Sequence, residues 1–306
     1  MMEDYPKVQL HSLPEDNNMV SGKYQPQRIR NETVDSVNLV IRSEDRTYGD
    51  DFNFSIDLLT SSNNIRKIQM AKCMLPLLPQ INVHNKTVSV VHVDGNITFD
   101  LEEGYYSVQA MVNMMQSAFT DAWINLDPSN LVTINYDIDR RSIIITDDNG
   151  ENFFITNDCN FNRYARNVVK FNTRPATDTP TTSVQESSSL GMIYSRYVIA
   201  TSFRLTEDQR SFSMVSNTGS KNIIGVLDLA SAYSASQFAV STSFAGTDVV
   251  LDCLDYAPKI NLVNRNKSLK VIDIQIEDEF GFNLGTLNTP NYQFVYPVSM
   301  WFQCYL

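Results

Sequence analysis

The 306-residue chain has few of the residues that usually carry chemistry. Its three histidines, His11, His84 and His92, lack the one-turn helical spacing of zinc enzymes. Its four cysteines are far apart and form no CxxC pair, which argues against a zinc knuckle or a redox motif. Phosphate-binding glycine loops, the dinucleotide fingerprint and the nucleophile elbow are also missing. The sequence therefore predicts no catalytic residue, no metal site and no cofactor.

Basic charge and long apolar runs are scarce as well. There are 24 Lys and Arg against 35 Asp and Glu, a net charge of −11. Nucleic-acid binders neutralise phosphates with a basic surface, so we expect no direct nucleic-acid partner. No apolar run approaches the roughly 18 residues of a membrane-spanning helix, so we expect no membrane span. The first residues, MMEDYPKVQL, lack the basic and apolar regions of a secretory signal.

Two acidic stretches could bind a cation or act as an acid pair, but each has a simpler interpretation. The segment DDNGEN at 147–152 has the composition of a calcium loop without its twelve-residue spacing or terminal glutamate. A tight turn at Asn149-Gly150 explains it. Asp137 and Asp139 would share one strand face, as water-facing acidic strand ends commonly do.

Alternating apolar residues predict β-strands over most of the chain. Asp94-Gly95 predicts a hairpin within residues 87–101, and Asn149-Gly150 predicts one that joins RSIIIT to NFFIT. Glycine is rare, with 11 residues against 29 asparagines, so many turns are expected to use Asn, which tolerates positive φ. This pattern predicts a mainly β protein, as a sandwich or a barrel.

One stretch, LEEGYYSVQAMVNMMQSAFTDAW at 101–123, interrupts the strands with a helix. Ser107 is placed to cap its N-terminus. An apolar stripe follows at helical spacing: Val108, Met111, Val112, Met115, Phe119 and Ala122. We expect this stripe to be buried, because one helix covering one face of a small antiparallel sheet is a stable two-layer unit.

Three further segments complete the organisation. Residues 1–35 are polar and aperiodic, which predicts an extended arm, either disordered or ordered against a neighbouring subunit. Residues 173–189 hold nine Ser and Thr and two Pro, which predicts a loop or linker. The closing segment YQFVYPVSMWFQCYL is apolar on both faces. Its strand should therefore be central in a sheet or lie against another subunit.

In layout, the chain resembles the minor capsid or penton proteins of virophages and related large double-stranded DNA viruses. The resemblance covers residues 36–306 and rests on the strands VNLVIRSEDR and FNFSIDL, the GYYS turn before the helix, and the strand break at EDEFG. Those proteins are single jelly rolls, some with an inserted domain. The resemblance implies an N-terminal arm at 1–35, a jelly roll of 36–84 and 190–306, a small α+β insertion with one helix at 85–170, and a Ser/Thr/Pro-rich linker at 171–189.

The resemblance also implies a function. Such a protein is a structural, non-enzymatic component of the virion, assembled in the host cytoplasm. Five copies form a vertex beside the major capsid protein, and the insertion projects outward. A ring of this kind uses two unlike contact surfaces on each subunit. We predict Trp301, Phe302 and Tyr305 at a subunit interface or core edge, and Tyr24, Ile29 and Arg30 of the arm in contact with the adjacent capsomer.

Two other functions stay open. A β-sandwich that binds a glycan or a host receptor would need exposed aromatic residues, and Tyr105, Tyr106 and Trp123 near the helix ends are the candidates. Tyr105 and Tyr106 would point to opposite sides of an extended chain, so only one of them would be exposed. A β-sandwich hydrolase would need two carboxyl groups roughly 5–10 Å apart in a cleft.

Overall fold

A computed structural model describes residues 36–62, 65–206, 213–216, 219–230, 248–253, 257–262, 269–288 and 298–305. The predicted arm, with Tyr24, Ile29 and Arg30, lies outside these ranges. The strands are β1 (Ser36–Arg42), β2 (Tyr48–Gly49), β3 (Asn53–Ser62), β4 (Lys67–Pro76), β5 (Thr87–His92), β6 (Gly95–Asp100), β7 (Val132–Asp137), β8 (Ser142–Asp147), β9 (Phe153–Ile155), β10 (Val169–Phe171), β11 (Val184–Leu190), β12 (Tyr197–Thr201), β13 (Ser213–Ser216), β14 (Gly219–Asp228), β15 (Asp248–Asp252), β16 (Ile260–Asn261), β17 (Leu269–Asp278) and β18 (Ser299–Tyr305).

The helices are α1 (Val108–Leu126), α2 (Asn160–Tyr164) and α3 (Phe203–Thr206), and two short 3-10 turns span Ser43–Asp45 and Leu284–Leu287. Within the described ranges, no helix combines the length and the apolar character needed to cross a membrane. The strands pair antiparallel in several sheets. The prediction of a mainly β protein is therefore confirmed.

Two sheets share one apolar core. The first has the order β1-β18-β4-β15, with β16 also paired to β4, and the second has the order β13-β14-β12-β17-β3-β2. Side chains alternate between the faces of each sheet because successive strand residues point in opposite directions. One row of the first sheet, formed by Ile41, Met300, Cys73 and Leu251, is buried against the second sheet.

The C-terminal strand β18 lies inside the first sheet, hydrogen-bonded to β1 on one side and β4 on the other. Met300, Phe302 and Cys304 of this strand are buried in the core. Of the two alternatives predicted for the closing apolar segment, the structure shows the central strand.

Residues between β4 and β12 form a second core, which extends from Ile81 to Met192. It lies among α1, α2, the sheet β10-β11-β8-β7 and the sheet β6-β5-β9. The α1 stripe is buried there except at Val108, which is half-buried, and the Ser107 side chain accepts a hydrogen bond from the Ala110 N–H at 3.2 Å. The predicted helix, its cap and its burial are confirmed, but the expectation of a single helix in the insertion is wrong, because α2 (Asn160–Tyr164) lies there as well. We call residues 81–192 the inserted unit.

The predicted hairpin across Asn149-Gly150 is wrong. Strand β8 pairs with β7 and β11, whereas β9 pairs with β5 in another sheet. Gly150 does adopt a positive φ of 78°, and the Asp147 carboxylate accepts the N–H groups of Asn149 and Glu151. The turn residues are therefore used as expected, but they redirect the chain from one sheet to the next.

The second half of the predicted linker is also different, because residues 184–190 form strand β11 between β8 and β10. Its inward residues are polar and hydrogen-bonded: Ser187 Oγ accepts from the Ile143 N–H, and Gln185 Nε2 donates to the Phe153 carbonyl. A strand that buries hydroxyl and amide groups lacks the apolar alternation by which strands are recognised in a sequence.

Candidate functional site

The outward side of the first sheet carries an apolar patch. We call the outward side chains of β1, β18, β4 and β15 the β18 face. One row pairs Val40, Trp301 and Lys72, and the next pairs Ser299, Met74 and Val250. Val40 is 44% exposed and Val250 is 55% exposed, while Trp301 and Met74 are half-buried. Aromatic and Met side chains are enriched at protein interfaces, so this face can bind a partner through apolar contacts.

The three closing aromatic residues predicted at an interface or core edge take different positions. Trp301 lies on the β18 face, whereas Phe302 points inward and is 1% exposed. Tyr305 is half-buried, and its hydroxyl donates to Gln69 Oε1 at 3.3 Å and Gln303 Oε1 at 3.2 Å. Lys259 Nζ lies 5.7 Å from the centre of the Tyr305 ring. Trp301 and Tyr305 are therefore available to a partner, and Phe302 belongs to the core.

The aromatic residues proposed as exposed ligand contacts are not exposed. Trp123 is fully buried, and its indole N–H donates to Asp147 at 2.7 Å. Tyr105 packs against the first core and donates to the Leu77 carbonyl, while Tyr106 packs against the second core and donates to the Glu102 carbonyl at 2.7 Å. The two tyrosines do point to opposite sides, as predicted, but both are half-buried because each side carries a core.

The loop after β17, with the sequence EDEFGF at 277–282, contacts the base of the inserted unit. The Glu279 side chain is 4% exposed and accepts hydrogen bonds from Asn167 Nδ2 at 2.6 Å and the Arg196 N–H at 3.0 Å. The Phe282 ring stacks on His84 with centroids 4.0 Å apart, and burial lowers the pKa of this histidine. This loop therefore holds the inserted unit against the two-sheet core.

A buried carboxylate stabilises the same loop. Asp278 is 1% exposed, and its Oδ1 accepts the N–H groups of Phe280 at 2.9 Å and Phe282 at 2.8 Å. The hydroxyl of the fully buried Tyr194 donates to Oδ2 at 2.5 Å. Burial raises the pKa of Asp278, and the Tyr194 hydrogen bond opposes part of that rise. Hydrogen bonds from Tyr194 and from the N–H groups of the loop itself thus compensate the charge of this buried carboxylate.

Among the described residues, one shallow depression contains two carboxyl groups, those of Asp273 and Glu277 on the outward side of β17. They lie four residues apart on one strand, so their Cα atoms are about 13 Å apart at 3.3 Å per residue, and Glu277 Oε1 accepts a hydrogen bond from Gln275 Nε2 at 2.8 Å. Asp273 also accepts the N–H groups of Phe203 and Arg204 at 3.0 and 2.8 Å. Asp137, the other acidic candidate, accepts the N–H groups of the turn after β7. Neither arrangement supports a hydrolase.

A polar cluster surrounds His92 at the end of strand β5. His92 shares its buried strand face with Val88 and Val90, and its side chain is fully buried. Its Nε2 lies 3.2 Å from Asp147 Oδ2, which also accepts the Trp123 indole N–H. The Asp94 and Glu151 carboxylates lie at the rim, with side chains about one-third exposed. Asp147 and Glu151 belong to the acidic segment at 147–152, but no sequence pattern placed His92 and Asp94 beside that segment.

These residues could hold a metal ion. One nitrogen of His92 and one carboxylate oxygen each of Asp94 and Glu151 lie within 4.8 Å of one another. A hydrogen bond from Asn130 lowers the pKa of Asp94, whereas burial and the neighbouring Asp94 raise the pKa of Glu151. The two carboxyl groups are closer together than the roughly 5–10 Å of a glycosidase pair. Close carboxylates with an imidazole are a donor set for a divalent cation.

Comparison with known proteins assigns no family to the chain. No protein-family model matches it, and the search of curated proteins found no match. The function therefore has to be argued from the strand order and from the surfaces described above.

Proposed function

We propose that the two-sheet part of the chain is a jelly roll. Without the inserted unit and the short strands β2, β13 and β16, eight described strands remain in chain order: β1, β3, β4, β12, β14, β15, β17 and β18. Each pairs with its counterpart counted from the other end: β1 with β18, β3 with β17, β4 with β15, and β12 with β14. A ribbon of four such pairs, wrapped into two sheets, has the double Greek-key order of a jelly roll.

The inserted unit occupies the connection between the third and fourth of these strands. Connections between jelly-roll strands lie at the ends of the sandwich, so an insertion there leaves both outer sheet faces free. The loop after β17 and the Glu279 carboxylate hold the unit in place. We propose that it projects from one end of the jelly roll, as the layout of vertex proteins implies.

The function that we propose is that of a structural capsid protein, the pentameric vertex protein of an icosahedral double-stranded DNA virus. Jelly rolls occur in viral capsid proteins, in lectins and in cupins. In the described part of this chain, apolar side chains fill the space between the two sheets, including Phe54, Phe302 and Ile274. That filling favours a structural sandwich over a cupin with an internal ligand site. The strand order, combined with the inserted unit, is the observation that carries the proposal.

The β18 face supports the same proposal, because it is suited to lateral contact with a neighbouring subunit. Trp301, Met74, Val40 and Val250 form its apolar part, and Lys72 lies beside them. A five-fold ring pairs two unlike surfaces of adjacent copies, so this face would contact a different surface of the next subunit. Packing against the major capsid protein would use the outer sides of the sandwich that the ring leaves free.

The Val250→Glu variant tests the lateral contact. Val250 is exposed in the single chain, so a glutamate there should leave the fold intact. In an apolar interface the same charge would be desolvated without a partner, which costs several kcal/mol, so we expect the ring to dissociate. Ile138→Glu, at a 76% exposed position of the inserted unit, is the matched control. Mass measured by light scattering should fall for Val250→Glu alone; equal masses for both variants would contradict the proposed contact.

A further inference from the structure

The hydrogen bonds of His92 define its tautomer. Its Nδ1 accepts the Asp94 backbone N–H at 3.2 Å, so in the neutral ring the proton is on Nε2. The Nε2–H then donates to Asp147 Oδ2 at 3.2 Å. Histidines that bind metals usually donate their other ring N–H to a carboxylate in this way, which fixes the ring and raises its basicity. The Nδ1 lone pair is thus directed toward the rim, where Asp94 lies.

Asp147 is well placed for this supporting role. Its side chain is fully buried, and it accepts four hydrogen bonds, from His92, the Trp123 indole and the N–H groups of Asn149 and Glu151. These bonds connect the end of β5, the helix α1 and the turn after β8. The orientation of the His92 ring is therefore held before any ligand arrives.

The charges at the rim lack compensation. Among the residues that the structure describes, His92 is the only basic side chain within 4 Å of Asp94, Asp147 or Glu151. Within the described part of the chain, the buried Glu151 Oε2 has no hydrogen-bond partner, and it lies 3.5 Å from His92 Nε2. A buried carboxylate oxygen without a donor is costly, and two adjacent carboxylates repel each other unless a proton or a cation lies between them. The two rim carboxylates therefore carry more negative charge than the described side chains around them neutralise.

We propose that His92, Asp94 and Glu151 bind one divalent transition-metal ion within the inserted unit. His92 Nδ1 and Asp94 Oδ2 are 3.6 Å apart. Two ligand atoms each about 2.1 Å from Zn²⁺ are about 3.4 Å apart in a tetrahedron, close to the Nδ1–Asp94 distance. The Glu151 carboxylate, whose Oε2 lies 3.5 Å from His92 Nε2, has to turn toward the ion to complete the site. The ion displaces the Asp94 N–H contact from Nδ1, neutralises the carboxylate pair and ties the turn after β5 to the turn after β8.

The donor set selects among metals. An imidazole nitrogen with two carboxylates suits Zn²⁺ and also Mn²⁺ or Fe²⁺, whereas Ca²⁺ and Mg²⁺ prefer oxygen ligands alone. The two carboxylates come from partly exposed turns, so a water can complete the coordination. This inference does not depend on the capsid proposal, since the site lies wholly within the inserted unit.

The test uses the full chain without a histidine tag, stripped with EDTA and titrated with Zn²⁺, Mn²⁺ and Ca²⁺ in a calorimeter. We expect about one Zn²⁺ per chain, weaker or equal binding of Mn²⁺, and a rise of the melting temperature with Zn²⁺ because the ion binds only the folded state. In the double variant Asp94→Asn and Glu151→Gln, the affinity should fall by more than the roughly 10- to 100-fold that loss of an outer-shell partner costs.

Two checks keep the result interpretable. The double variant removes a repulsion between neighbouring carboxylates, so without metal it should melt no lower than the unmodified chain. A second double variant, Glu102→Gln with Asp121→Asn, also removes one glutamate and one aspartate charge, but at exposed positions outside the cluster. It should bind Zn²⁺ and gain stability from it as the unmodified chain does. Absence of Zn²⁺ and Mn²⁺ binding, Ca²⁺ binding alone, or unchanged Zn²⁺ affinity in the first variant would overturn the proposal.

Discussion

Replacing Tyr194 by phenylalanine should destabilise the loop that carries the inserted unit. The substitution leaves the buried ring in place and removes only the hydroxyl that donates to Asp278 Oδ2 at 2.5 Å. Hydrogen bonds to charged groups contribute about 1.5–3 kcal/mol. Since Asp278 is 1% exposed, water cannot replace the lost donor without opening the loop. We therefore expect a loss of about 1.5–3 kcal/mol in the free energy of unfolding near neutral pH.

The loss should depend on pH in a defined direction. The pKa of Asp278 is raised by burial in the folded state, so the folded protein holds a proton over a range in which the unfolded chain has lost it. Stability from this group therefore falls as pH rises through the folded-state pKa. Removal of the Tyr194 hydroxyl raises that pKa further, because the hydrogen bond favours the charged form. The loss in free energy of unfolding caused by Tyr194→Phe should become smaller as pH falls toward about 4, the ordinary pKa of an aspartate.

Urea unfolding of both proteins at neutral and acidic pH measures this difference. The control is Tyr197→Phe, a substitution at a 38% exposed position on strand β12, which should change stability by less than about 0.5 kcal/mol. If Tyr194→Phe costs no more than this control near neutral pH, the Tyr194–Asp278 hydrogen bond does not stabilise the loop. A deficit that grows with falling pH would contradict the assigned protonation behaviour.

Two further substitutions test the packing and the helix cap. A Cβ at Gly225 would lie 1.9 Å from Met70 Cε in the other sheet, so Gly225→Ala should cost about 1–3 kcal/mol of unfolding free energy. Shortening the opposing side chain by Met70→Val should relieve at least about 1 kcal/mol of that cost. A double-mutant cycle measured by urea unfolding tests this coupling. Additive effects would mean that the two sheets do not meet at this point. Ser107→Ala should cost about 1 kcal/mol through loss of the α1 cap, whereas Ser117→Ala, exposed in the middle of α1, should cost nothing measurable by thermal unfolding.

Local signals in the sequence predicted the local structure well. The α1 stripe and the Ser107 cap depend on contacts within one helical turn, so their spacing is sufficient to identify them. The central position of β18 followed from apolar residues on both of its faces. By contrast, Asn149-Gly150 specifies a turn and leaves open which strand comes next, so the predicted β8–β9 hairpin was wrong.

The polar cluster and the burial of the aromatic residues depend on contacts between residues that are distant in the sequence. Trp123 looks like a surface residue near a helix end, and only the buried Asp147 carboxylate explains why its indole N–H points inward. In the sequence, His92 is a strand histidine, and Asp94 and Glu151 are acidic residues of turns. Their proximity arises because β9 pairs with β5 and brings the turn after β8 beside them, a pairing that no local pattern predicts.

The mass and shape of the purified chain in solution test the proposed vertex role most directly. Light scattering combined with negative-stain images of the same peak should give five-fold rings of about 174 kDa, five times the 34.7 kDa of one chain. A pentamer would agree with a jelly roll that uses its β18 face and one unlike surface for lateral contacts. A uniform monomer or trimer, with no five-fold images at any concentration tested, would contradict the proposal that this protein forms the vertex of a capsid.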